Sequence, residues 1–133
     1  MNEVLEFLTT NPTFYLATID EDNQARVRPF GAVMSFEGKL YFATNNTKSV
    51  FKQLVANPKI EISTTSKKGE WIRLSGNAVV DTRTEAKAAM LEAVPMLKNM
   101  YNLEDGVFAV FYLTDAVAVF NSFSDPTPKI VQL

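Results

Sequence analysis

The chain has 133 residues, 47% of them hydrophobic, which predicts a single domain over residues 1–133 with a well-packed core. It contains no cysteine and no histidine, which excludes disulfides, thiolate chemistry and the usual zinc sites, and its scattered carboxylates predict no metal site. A formal net charge of −2 argues against a nucleic-acid partner, because nonspecific binding needs a broad cationic surface. No apolar run is long enough to span a bilayer and the first residues are acidic, so we expect a cytoplasmic protein with no membrane partner.

The first third of the chain predicts a short helix followed by a three-stranded meander. Asn2 is predicted to cap the helix, and Asn11-Pro12 ends it. Alternating, β-branched and aromatic residues predict strands over 14–19, 25–35 and 39–44. Pro29 cannot donate a ladder hydrogen bond, so we expect the second strand to bend around 28–31.

The rest of the chain adds three strands and two helices. Thr47 is predicted to cap a helix that ends at Ala56, and another helix is predicted over 85–94. The further strands are predicted over 59–65, 70–80 and 107–120, with a bulge at Gly76. Six strands joined mostly by tight turns indicate a mainly β fold with short helices, either an antiparallel barrel or a strongly coiled sheet.

Basic side chains are concentrated in one part of the chain. Residues 24–52 hold five basic residues and one acid, which are Arg26, Arg28, Lys39, Lys48, Lys52 and Glu37. Arg26 and Arg28 share one face of a strand, and Lys48 follows a polar loop at the start of a helix. Strand-borne arginine, a lysine and a helix N-terminus together predict a pocket for a small phosphorylated ligand. The alternative is a solvated strand face beside an ordinary polar loop.

Neighbouring residues bear on both interpretations. Val27 alternates with the arginines and is predicted to point into the core. Pro29 and Gly31 would let the backbone approach a flat ligand closely. Lys48 and Lys52 lie one helical turn apart and repel each other unless an anion is near.

Trp71 is the only tryptophan, and Arg73 lies on the same strand face. One interpretation is a structural tryptophan at the edge of a sheet. The other is an exposed aromatic surface for a subunit interface or for stacking on a ring. The sequence leaves both open.

Four motifs in order carry a family resemblance, namely Arg26 to Phe30, Leu40 to Lys48, Asn57 to Ile62 and Trp71 to Gly76. With these motifs the chain resembles the pyridoxamine 5'-phosphate oxidase-like family of FMN-binding split barrels, and it is most similar to short members related to nitroimidazole-resistance proteins. The resemblance implies a six-stranded antiparallel split β-barrel. It also implies a homodimer with two FMN molecules at the dimer interface.

The resemblance assigns roles to residues of this chain. It implies that Arg28, Pro29 and Phe30 lie along the isoalloxazine and ribityl chain of FMN. The residues implied to hold the phosphate are Thr44, Asn45, Lys48 and Ser49, with Lys52 as a further cation. Trp71 and Arg73 are implied to reach the flavin from the neighbouring subunit. Arg26 joins the predicted cofactor-binding set as part of the basic stretch.

The resemblance and the basic stretch together predict an FMN-dependent oxidoreductase. The donor and acceptor stay open, and a reduced nicotinamide with small organic compounds, nitro compounds among them, is one candidate pair. Flavin chemistry requires no protein acid or base, so no catalytic residue is assigned. Family oxidases that act on the vitamin phosphate use an Arg-x-His element, and the chain has no histidine, so oxidation of pyridoxamine 5'-phosphate is not expected. The alternatives are a noncatalytic flavin-binding or storage protein, and a split barrel for a deazaflavin or for haem, which only tyrosine or methionine could ligate here.

Overall fold

The computed structural model describes residues 1–133 and contains one antiparallel sheet of eight strands with three α-helices. The strands are Phe14–Ile19 (β1), Ala25–Phe30 (β2), Val33–Phe36 (β3), Lys39–Asn45 (β4), Lys59–Thr65 (β5), Glu70–Asp81 (β6), Phe108–Ser122 (β7) and Lys129–Gln132 (β8). The helices are Asn2–Thr10 (α1), Ser49–Ala56 (α2) and Thr84–Ala93 (α3), and α3 is followed by a short 3₁₀ helix, Pro95–Asn99. None of these helices has the length and apolar character that crossing a membrane requires.

The sheet curls into a split barrel. Its strand order is β2-β1-β5-β6-β7-β4-β3, with β8 paired to β7. Its two end strands, β2 and β3, are joined by only two residues, so the sheet must bring its ends together. Aromatic rings span the interior, where Phe14 lies 5.8 Å from Phe42 and Phe30 lies 6.2 Å from Phe111, measured between centroids. The predicted mainly β, antiparallel split-barrel fold is confirmed.

The strand count differs from the six strands predicted. The single strand predicted over 25–35 is two strands, β2 and β3, because the chain turns at Gly31 and Ala32 from one end of the sheet to the other. The C-terminal segment adds β8. The bend predicted in this region is therefore sharper than expected. The bulge predicted at Gly76 is confirmed by a register shift between Ser75 and Asn77.

Two details of the local predictions are wrong. Val27 is 68% exposed, and its neighbour Arg28 is the one that faces inward, opposite Leu16 of β1. Because β2 ends the sheet, its inner face meets polar groups of α2 instead of a closed apolar interior. Asn2 is the first residue of α1 and Met1 occupies the N-cap position, so Asn2 does not cap the helix.

Two apolar clusters fix the helices on the sheet. The larger fills the barrel and includes Val4 and Leu8 of α1 and Val50 and Leu54 of α2. The smaller packs α3 and the 3₁₀ helix on the outer face of β3, β4 and β7. Fully burying each such side chain contributes about 1.5–3 kcal/mol, so Val50 and Leu54 hold α2 firmly on the barrel.

Candidate functional site

The first turn of α2 has no capping side chain. Lys48 occupies the N-cap position in an extended conformation, and no side-chain oxygen accepts a bond from the first amides. The prediction that Thr47 caps this helix is wrong, because its hydroxyl donates to Asn45 Oδ1 at 2.6 Å. The unpaired amides and the positive end of the helix dipole therefore face solvent and favour an anion.

Thr44 brings an unpaired polar group to the residues before this helix. It lies on β4 on the same face as Phe42, inside the barrel, and is only 3% exposed. Its Oγ1 is shielded from solvent and has no hydrogen-bond partner. A buried hydroxyl without a partner costs about 1–3 kcal/mol. A ligand oxygen at this position would satisfy it.

Arg28 supplies a positive charge that the chain does not neutralise. Its guanidinium donates to Thr18 Oγ1 at 2.7 Å and to Gln53 Oε1 of α2 at 2.8 Å. None of the ion pairs of the chain includes Arg28. Burial lowers the pKa of this guanidinium, although it stays charged at any physiological pH. A partly buried cation with neutral partners only is a favourable place for an anion.

The remaining basic residues differ in availability. Arg26 is engaged by Asp20, with Nε 2.9 Å from the carboxylate, and this hydrogen bond lowers the pKa of Asp20. Lys48 and Lys52 are exposed, have no ion-pair partner and project from α2 one turn apart. The structure therefore brings the Arg28 guanidinium to the helix that also carries Lys48 and Lys52, whereas Arg26, on the same strand as Arg28, is bound to Asp20 instead.

Asn45 and Ser49 occupy different settings. Ser49 is exposed in the first turn of α2. The Asn45 side chain is used within the chain, because Oδ1 accepts from the Thr47 amide and hydroxyl and Nδ2 donates to Tyr101 Oη at 2.8 Å. Asn45 thereby fixes the shape of the loop that leads into α2.

Pro29, Trp71 and Arg73 lie on the outer face of the sheet, away from Arg28. Trp71 packs against Phe123 with ring centroids 4.7 Å apart. It is not at a sheet edge as one interpretation proposed, because β6 lies between β5 and β7. Paired positions form one outward row across six strands, consisting of Pro29, Tyr15, Ser63, Arg73, Val119 and Ile130. Phe30, in contrast, packs against the barrel core.

A second polar cluster is internally satisfied. Asp81, 7% exposed, accepts from Tyr41 Oη at 2.7 Å and from Arg83, which also pairs with Glu37. The Arg83 hydrogen bonds lower the pKa of Asp81 to about 2, and burial followed by the Asp81 hydrogen bond raises that of Tyr41 to about 12. Because every charge here has a partner, we assign this cluster a structural role that ties β4 to the start of α3.

Sequence reasoning did not identify two residues that contact Arg28. Thr18 is a buried threonine at an inward position of β1, and Gln53 follows Ser49 by four residues and so lies on the same side of α2. The sequence signal for Thr18 was a polar residue at a strand position whose neighbours in the alternating pattern face the core, which indicates a buried hydrogen-bonding group. The sequence signal for Gln53 was its spacing of four residues from Ser49, which places both side chains on the same side of the predicted helix.

Taken together, these groups fit a phosphate. Helix amides, an unpartnered hydroxyl, a guanidinium and two ammonium groups are the donors that a phosphate monoester accepts from. No group of three or more histidine, cysteine, aspartate and glutamate side chains is placed to hold a metal ion.

Comparisons with known proteins identify the family of this chain. A family model described as pyridoxamine 5'-phosphate oxidase matches residues 1–109. A NimC/NimA family protein from Clostridium acetobutylicum is 53% identical over 100% of this chain and 93% of its own, with a TM-score of 0.94. No match was found among curated proteins.

More distant solved structures share the fold. General Stress Protein 26 from Bacillus anthracis is 17% identical, with a TM-score of 0.75 and coverage of 98% of this chain and 97% of its own. A pyridoxamine 5'-phosphate oxidase-related, FMN binding protein from Nostoc punctiforme is 14% identical, with a TM-score of 0.70 and coverage of 99% of this chain and 90% of its own. On the family model and the 53% identical relative, this chain belongs to the pyridoxamine 5'-phosphate oxidase family.

Proposed function

We propose that this protein binds FMN and is a flavin-dependent oxidoreductase. The observation that carries the proposal is the buried Thr44 hydroxyl without a partner, five residues before the uncapped start of α2, the helix whose Gln53 also binds the unneutralised Arg28. The FMN-binding relative from Nostoc punctiforme and the family membership support the same ligand. Bound FMN supplies hydride and electron transfer.

The residues of the chain bind and orient the ligand. Arg28, Lys48 and Lys52 balance the charge of a phosphate, and the amides of the first turn of α2 donate hydrogen bonds to its oxygens. Phe30, two residues after Arg28 on the same strand face, packs on the barrel core and offers an apolar surface. We propose a reduced nicotinamide as electron donor and small oxidised organic compounds, nitro compounds among them, as acceptors. The NimC/NimA family relative motivates the nitro compounds.

The first test is the visible absorbance spectrum of the purified protein, with the released chromophore identified by mass. Flavin bands and released FMN support the proposal. A deazaflavin or haem spectrum would redirect it to those ligands. Protein that is colourless and takes up no added FMN contradicts it. Oxidation of reduced nicotinamide by the FMN-loaded protein, with a nitro compound present, then separates an oxidoreductase from a flavin-storage protein.

We expect Lys48→Ala to weaken FMN binding by about 1.5 kcal/mol, roughly tenfold, because an exposed ammonium contributes at the lower end of the range for charged hydrogen bonds. Titration of FMN fluorescence against protein measures the dissociation constant. Lys67→Ala is the matched control, since Lys67 is exposed on the β5–β6 turn, and its effect should stay within about twofold. Equal losses in both variants would remove Lys48 from the site.

We also propose that the protein is a homodimer with the flavin at the interface. Trp71 and Arg73 lie on the opposite sheet face from Arg28, so one copy cannot bring both sets to the same ligand. The outward row has apolar surface to bury, because Tyr15 is 50% exposed and Ile130 is 63% exposed. A second copy would cover this surface and bring Trp71 to the flavin.

We expect Trp71→Ala to raise the dimer dissociation constant at least about tenfold, because tryptophan is enriched among the residues that contribute most to interfaces. Sedimentation equilibrium over a range of concentrations measures it. Met96→Ala serves as control, since Met96 is an exposed apolar residue, 76% accessible, on the 3₁₀ helix. A folded Trp71→Ala dimer as tight as the original places the interface elsewhere, and an unfolded product shows that Trp71 is a structural residue.

A further inference from the structure

Arg28 is held in one position by four hydrogen bonds to neutral oxygens. Nη1 donates to Thr18 Oγ1 at 2.7 Å, to the Leu16 carbonyl at 3.2 Å and to the Arg26 carbonyl at 3.3 Å. Nη2 donates to Gln53 Oε1 at 2.8 Å. The Nε–H and one Nη2 hydrogen have no acceptor within the chain, so two of the five guanidinium donors remain for a ligand.

Thr18 and Gln53 also bind each other. The Thr18 hydroxyl donates to Gln53 Oε1, so this oxygen accepts from both the hydroxyl and the guanidinium. The three side chains form a closed ring that connects β1, β2 and α2. Such a ring fixes the orientation of the guanidinium, because each side chain is held by the two others.

The neutrality of Gln53 matters as much as its position. A carboxylate at the same place would pair with Arg28 and neutralise its charge, whereas an amide oxygen orients the guanidinium and leaves the full charge for an anion. Gln53 lies one turn after Ser49, so the guanidinium that it holds lies along the side of α2 that leads to the uncapped first turn.

We infer that Gln53 and Thr18 are positioning residues that orient the Arg28 guanidinium toward the phosphate of the ligand without neutralising it. The inference rests on the proposed function, because it assigns these residues to the phosphate end of the FMN site. Neither residue touches the ligand in this arrangement, so both act through Arg28.

The test is Gln53→Glu, which keeps the size of the side chain and adds a carboxylate beside Arg28. We expect the FMN dissociation constant to rise at least about tenfold, because the new ion pair competes with the phosphate for the guanidinium. The affinity for riboflavin, which lacks the phosphate, should change by less than about twofold, because only charged hydrogen bonds to the phosphate are affected. The melting temperature without ligand should equal or exceed that of the original protein. Gln132→Glu, on exposed β8, adds the same charge elsewhere and should leave both affinities unchanged.

A second variant, Thr18→Val, removes the hydroxyl without adding charge and keeps the shape of the side chain. It should weaken FMN several-fold more than riboflavin. If the original protein binds no FMN, the proposed function fails and the inference falls with it. If it binds FMN but both variants match the original, or lose FMN and riboflavin affinity equally, only the positioning role is overturned.

Discussion

Replacing Phe111 with alanine is expected to lower the free energy of unfolding by about 4 kcal/mol, because the change removes a fully buried ring and leaves a cavity. Phe111 stacks on Phe42 with centroids 5.5 Å apart and meets the edge of Phe30 at 6.2 Å. These contacts join β7 to β4 and to β2, the end strand of the sheet. Urea denaturation followed by circular dichroism measures the change.

The matched control for this prediction is Phe123→Ala. Phe123 is 84% exposed, and its truncation should change the free energy of unfolding by less than about 0.5 kcal/mol. Circular dichroism is preferable to fluorescence here, because Phe123 packs against the only tryptophan. A loss below about 1 kcal/mol in Phe111→Ala would mean that the ring is not part of a packed barrel core, and the closure of the barrel would need another account.

The strands in the second half of the chain were predicted well because their signals are local. β5 alternates buried and exposed residues along most of its length, so period-two patterning located it. β2 was harder. The prediction placed Val27 inside because apolar residues usually face a core, but an end strand of an open barrel can turn an arginine inward when a helix offers it an acceptor.

The sequence identified the basic residues of the candidate site, but it did not predict which other side chains hold them in place. The sequence placed Lys48, Ser49 and Lys52 at a helix start, which the structure confirms, because a helix start and its spacing are visible locally. Gln53 lies 25 residues from Arg28 and 35 from Thr18 in sequence, so only the folded chain brings the three together. The predicted Thr47 cap was wrong because the Thr47 hydroxyl donates to a competing acceptor, Asn45 Oδ1, two residues earlier.

The largest expected effect on binding is that of Arg28→Met. We expect it to weaken FMN binding by about 3 kcal/mol, roughly 150-fold, because a partly buried guanidinium makes charged hydrogen bonds at the upper end of their usual range. Methionine keeps much of the apolar stem, so the loss reports on the charge and the donors. Fluorescence titration with FMN and with riboflavin measures it, and the riboflavin affinity should change far less.

Arg26→Met tests whether this effect belongs to one position or to the basic stretch as a whole. Arg26 lies two residues away and carries the same charge, but its guanidinium is exposed and already paired with Asp20. Its replacement should weaken FMN by less than about threefold, since exposed ion pairs and distant charges contribute little. Equal losses in the two variants would mean that the anion responds to the overall charge of the surface. A loss confined to Arg28→Met would instead locate the phosphate beside α2, where the amides of the uncapped first turn also lack side-chain partners.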